Sequence, residues 1–141
     1  MSTGYETERQ YIESRFNTNW TSATTPIKFD NVNGLLKGTE SVADARGLTE
    51  WVRLSIATGE SLTATVGATT TRHPGVIVVN VFTQSGAGTD RARELCDDVF
   101  DIFSNETFNG INCQASYATV DGDVEGFYQM TVSTPFYRDQ S

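Results

Sequence analysis

Gly75-Val76-Ile77-Val78-Val79-Asn80-Val81-Phe82 decides the fold. From Val76 to Phe82 the chain is nearly continuous in apolar and β-branched residues, the composition of the most buried strand of a sheet, so it is placed at the centre. Ser85-Gly86-Ala87-Gly88 breaks the chain, and the period then changes. Ala92, Leu95, Cys96, Val99, Ile102 and Phe103 recur at helical spacing, with Phe100 on the flank and Glu94, Asp97, Asp98 and Asp101 opposite. A helix is predicted from Thr89 or Asp90 to about Ser104.

Upstream of this strand–helix unit, Arg72-His73-Pro74-Gly75 reads as a turn. Leu62 to Thr71 reads as a Thr-rich strand, with Thr58-Gly59-Glu60-Ser61 as a short turn before it. Glu50 to Ile56 alternates, with Val52, Leu54 and Ile56 pointing one way and Trp51, Arg53 and Ser55 the other. Pro26 starts a short extended piece, Ile27 to Phe29, after the linker-like Trp20 to Pro26. Residues 34–48 carry Gly38 and Gly47 and show no period, so they are read as a mobile loop. At the N-terminus, Tyr5, Ile12, Phe16 and Trp20 form an apolar stripe on a helix predicted over Thr3 to Asn19. Thr3 and Glu6 have capping-box spacing, and Glu6 and Glu8 suit the positive end of the dipole. Downstream, Ile111 to Val120 and Phe127 to Phe136 are two strands joined across Asp121 to Gly126 as a hairpin. Strands in hairpin groups with helices between them indicate one α+β domain over 1–141. The expected form is a mostly antiparallel sheet of five to six strands with two helices on one face, in the order α-β-βββ-α-ββ.

Composition fits this reading. The 141 residues suffice for one core, and eight Phe, five Tyr and two Trp are too many for a disordered chain. The net charge of −8 argues against a nucleic-acid coat, because phosphate binding needs a basic surface. No apolar run is long enough to span a membrane, and the polar, acidic first residues do not form a secretory signal. Cys96 and Cys113 are then expected as buried thiols.

No motif for chemistry is complete. The single histidine, His73, has no neighbouring ligand for a metal, and no G-x-S-x-G elbow accompanies it. Gly86-Ala87-Gly88-Thr89 opens a helix as a phosphate loop would, but the Lys and the glycine spacing are missing. Asp121, Asp123 and Glu125 lack a carboxylate at the twelfth position of a calcium loop, which here is Val132. No cofactor, metal or catalytic residue is expected, and the chain is read as a non-enzyme. The basic residues are eight Arg and only two Lys, which suits protein contacts. Arg91 and Arg93 sit in the first turn of the second helix, the wrong end for the dipole, so both are expected to face a partner. Arg46 in the 34–48 stretch, and Arg72 and His73 in the adjacent turn, join them as expected subunit or partner contacts.

Several segments, in order, resemble the tail terminator-like proteins of long-tailed bacteriophages. They are Pro26-Ile27-Lys28-Phe29-Asp30-Asn31 after the helix carrying Trp20; Trp51-Val52-Arg53-Leu54; Gly75 to Phe82 followed by Gly86-Ala87-Gly88 and the helix Ala92 to Phe103; Phe127-Tyr128-Gln129-Met130-Thr131-Val132; and Thr134-Pro135-Phe136-Tyr137-Arg138-Asp139. The resemblance runs from about Tyr5 to Asp139. It implies a structural virion protein: a homohexameric ring at the head-proximal end of the tail tube that stops tube polymerisation and helps join tail to head. Its implied partners are other copies of itself, the tail tube protein and a neck or connector protein, with DNA only passing through and no membrane. The net −8 suits a ring through which DNA slides without sticking. The alternatives are a neck or head-completion protein, or a small-molecule-binding or hydrolytic α+β domain using His73.

Overall fold

In the computed structural model, the apolar run lies within β6 (Thr71–Gln84), which is indeed central. The structure describes residues 4–20, 25, 27–29, 35–37, 40–42, 50–63, 70–84, 90–124 and 127–140. β6 pairs along its whole length with β10 (Phe127–Gln140), antiparallel, from Thr71↔Gln140 to Gln84↔Phe127. On its other side lie β4 (Glu50–Thr58) and the two-residue β5 (Leu62–Thr63), both antiparallel. β1 (Ile27–Phe29) adds to β4 in parallel, and β2 (Leu35–Lys37) and β3 (Glu40–Val42) extend that edge as antiparallel neighbours. At the opposite edge, β8 (Ile111–Cys113) and β9 (Tyr117–Val124) pair with successive parts of β10, and β7 (Thr107–Phe108) pairs with β8.

The fold is the expected α+β with a mostly antiparallel sheet. Among the described residues there are ten strands rather than five or six: β2, β3 and β7 are only two or three residues long and carry too little pattern to be read, and the stretch predicted as one strand from Ile111 divides into β8 and β9. Both helices, α1 (Tyr5–Asn19) and α2 (Asp90–Phe103), cover one face. Ile12 and Phe16 of α1, and Ala92, Leu95, Val99, Ile102 and Phe103 of α2, form one core with Val52, Leu54, Ile77, Val79, Val81, Met130, Val132 and Phe136. Gly75 belongs to this face for a steric reason: a Cβ there would lie 2.6 Å from the ring of its cross-strand partner Phe136.

Four sequence expectations are corrected. The segment Arg72-His73-Pro74-Gly75 is strand, not turn. The backbone of Pro74 faces the side where the chain turns after β4. Its carbonyl accepts from Gly59 N–H at 2.9 Å, and its missing N–H costs no ladder bond to β10. Within 34–48, residues 35–37 and 40–42 are paired strands, held by backbone bonds that need no apolar alternation; the rest of that stretch lies outside the described residues. The predicted strand Ile111 to Val120 is interrupted at residues 114–116, and β9 then runs through the acidic segment to Val124. Gly122 supplies a φ of +84° there, beside a register shift opposite Gln129 and Met130. Finally, α1 is capped by Gly4 with no side-chain cap bond, and Glu6 binds Arg9 one turn on. Thr3 lies outside the described residues.

Candidate interaction surface

Strand alternation divides the charged residues between two unlike faces. Between the helices and the sheet, buried charge is neutralised inside the chain. Glu8 sits on the apolar stripe of α1 and is only 3% exposed; its carboxylate accepts from Arg138 Nε at 2.7 Å, and Arg138 is 1% exposed. The Arg138 guanidinium also lies 5.0 Å from the centre of the Tyr5 ring. Nearby, Ser61 Oγ is 2.8 Å from His73 Nδ1, and the Tyr5 hydroxyl is 3.4 Å from both. A groove of about 230 Å³ runs beside this cluster between α1 and β4, lined by Tyr5, Glu8, Leu54 and Ile56 among others.

The opposite face has no helix on it among the described residues. Its residues are those that alternate away from the core: Lys28 on β1; Trp51 and Arg53 on β4; Asn80 and Phe82 on β6; Phe127 and Thr131 on β10; and Tyr117 on β9. Trp51 stacks on Phe82 at 4.1 Å between ring centres, and Phe127 meets both edge-on at 6.3 Å. The indole N–H of Trp51 is buried without a hydrogen-bond partner among the described residues. A polar row crosses the strands beside these rings. Arg53 donates through Nε and Nη2 to Asn80 Oδ1 at 3.1 and 2.9 Å, Asn80 donates to Thr131 Oγ1 at 2.9 Å, and Thr131 donates to Asp121. The Arg53 guanidinium also lies 5.5 Å from the Phe82 ring centre. At the other end of the row, parallel pairing sets Lys28 directly beside Arg53. Two cations on adjacent strands repel, and neither has a carboxylate partner among the described residues.

The residues singled out from sequence fall apart in space. Arg91 lies at the α2 N-terminus, but its charge is spent within the molecule. Nε and Nη2 donate to Glu50 of β4 at 2.8 to 3.0 Å, and Nη1 donates to Glu94 at 3.3 Å. The expectation that Arg91 lacks compensation is therefore corrected: its partner comes from a strand, not from the helix. This bond, assisted by the Thr25 hydroxyl, holds the Glu50 carboxyl below its ordinary range despite partial burial. Arg93 is exposed. Arg72 forms a fork with Asp139, at 2.8 and 3.0 Å, and lies 4.1 Å from the Tyr137 ring centre. His73 faces the helix side with Ser61 and Tyr5. Arg46 lies outside the described residues. Cys96 and Cys113 are free and buried, and burial pushes their thiols to about 11 and about 12, so neither ionises near neutrality.

No family model and no curated protein matches this chain. A solved structure known only by a protein number is similar to it, with a TM-score of 0.70 over 98% of this chain and 96% of its own. The two share a fold. At 13% identity that likeness extends to architecture alone.

Sequence reading placed Arg53 and Trp51 on the outward side of β4 but gave them no role. It quoted Lys28 within a segment but gave it no role either. The signal was present in Ile27-Lys28-Phe29, a cation between two apolar residues, but only the β1–β4 pairing shows which residue stands beside it.

Proposed function

We propose that this chain is a tail terminator: a subunit of a homohexameric ring that caps the head-proximal end of a phage tail tube. The ring stops tube polymerisation and joins the tail to the neck. The ordered segments from Tyr5 to Asp139 that resemble the family support this reading. The observation that carries it is the unequal dress of the two sheet faces. One is covered by helices; the other carries an aromatic trio and, among the described residues, an unpartnered indole N–H and two cations without a carboxylate partner. A subunit with different surfaces on its two sides is suited to heterologous contacts, which form a ring when the rotation between neighbours closes. The net charge of −8 suits a passage for DNA that does not retain it. In this reading the protein acts in the virion and needs no cofactor.

The test is the oligomeric state by mass photometry, for the pure protein and for a mixture with tail tube subunits. A hexamer, or tubes halted at defined length, is expected; a monomer in both samples overturns the reading. The hydrolytic alternative draws on the 2.8 Å contact between Ser61 and His73. It requires an ester-cleaving turnover that His73→Ala abolishes. The assembly reading expects that variant to form rings as the parent does.

A further inference from the structure

Lys28 and Arg53 are an anomaly in an acidic chain. The strands that carry them run about 4.8 Å apart, so the two charges stand side by side on one face. Arg53 is already ordered, by two bonds to Asn80 and by the Phe82 ring, and three of its five N–H donors remain for other acceptors. Trp51, two residues along β4, borders them with its ring stacked on Phe82.

The matching surface lies on the other side of the same molecule. Asp90, Glu94, Asp97 and Asp101 are exposed on α2, Glu94 also accepting from Arg91, and at 100° per residue they fall within about 60° of one another. They form a carboxylate line about 16 Å long, opposite the helix's buried face, with Arg93 beside it. Carboxylates three or four residues apart on a helix are spaced by about 5–6 Å, which suits the spacing of the two cations.

We infer that the open sheet face around Lys28, Arg53 and Trp51 receives the acidic line of α2 from a second copy of this chain. The inference rests on the reading of the protein as a ring subunit and names the contact that builds the ring. Because α2 and the open face lie on opposite sides of the sheet, one copy cannot satisfy both. The contact is head-to-tail, and each subunit gives its helix to one neighbour and its sheet to the other.

The experiment uses two charge-reversed chains, one carrying Lys28→Glu and Arg53→Glu, the other Asp97→Lys and Asp101→Lys. Each alone should self-associate roughly tenfold or more weakly than the parent, because like charges then meet. Mixed in equal amounts, they should recover rings, since every contact in an alternating ring is again between opposite charges. A chain with Lys28→Glu alone covers the case where loss of the Arg53–Asn80 bonds unfolds the double variant. If both reversed chains assemble as the parent does, the contact is elsewhere and the ring reading stands. If each fails alone and the mixture also fails, α2 is not the mate. If Lys28→Glu abolishes binding of a labelled oligonucleotide while assembly is unchanged, the patch serves phosphate and the inference is overturned. A parent chain that is monomeric with and without tube subunits removes the ring reading itself.

Discussion

The two faces of the sheet treat positive charge in opposite ways. Arg138 points into the helix-covered face and meets Glu8, and both are almost completely removed from water. Arg53 and Lys28 are on the other face, at paired positions of adjacent strands. A charge enclosed by the fold has to find its counter-ion within the chain, because desolvation without one costs several kcal/mol. A charge at an open face is kept by water and can wait for a partner. The largest expected effect breaks the enclosed pair: Glu8→Ala should destabilise the protein by about 3–5 kcal/mol in denaturant unfolding. Replacing both partners, Glu8→Leu with Arg138→Met, should recover most of that loss. If Glu8→Ala costs less than about 1 kcal/mol, the pair is wetter than its geometry implies and the contrast between faces collapses.

A second comparison sits within one turn of α2. Arg91 and Arg93 are alike in sequence and equally misplaced against the helix dipole, yet Glu50 holds Arg91 and Arg93 is exposed. Arg91→Ala should cost about 0.5–1 kcal/mol, a figure reduced for the solvent exposure of the guanidinium. Arg93→Ala should change stability by less than about 0.5 kcal/mol. The pair also has a pH signature. Arg91 lowers the Glu50 pKa in the folded state, so the unfolded chain binds more protons as the solution is acidified. The pair's contribution is complete above the ordinary carboxylate value of 4.5 and is lost as pH falls through the lower folded value. Melting curves between pH 6 and roughly pH 3 should therefore converge for the parent and Arg91→Ala. Curves that stay parallel would show that Glu50 does not carry the effect.

What the sequence displayed and what it hid divide along the same physical line. The β6 run and the buried face of α2 were legible because strand and helix periods are written in neighbouring residues. His73-Pro74 was misread because its local chemistry is that of a turn, and the fact that excuses the proline, Gly59 bonding to its carbonyl, lies 15 positions away. Glu8 was read as a dipole complement, since nothing near it in the chain announces Arg138, 130 residues later. Lys28 and Arg53 are brought together by a parallel pairing, which leaves no hairpin signature in the sequence. The candidate surface is made almost wholly of such non-local adjacency.

The smallest expected effect sharpens the first comparison, and its sign matters more than its size. Lys28 has no carboxylate partner among the described residues and stands beside a fixed cation. Lys28→Met keeps a long apolar stem on the strand and removes the repulsion. The monomeric domain should become more stable by about 0.2–1 kcal/mol at low ionic strength, the range for a directly opposed pair on a sheet. Screening should erase the difference, because at 1 M salt the Debye length falls to about 3 Å, shorter than the spacing of the strands. Two melting series, at low and high salt, isolate the term. Self-association should move the other way and weaken in the same variant, since the charge that burdens the free subunit is the one a neighbour's α2 carboxylates would neutralise. If Lys28→Met destabilises the monomer at both salt concentrations, Lys28 has an internal role and the open face is less open than its exposure implies. If it stabilises the monomer and leaves association unchanged, the like-charge pair is only a local strain and the subunit contact lies on another surface.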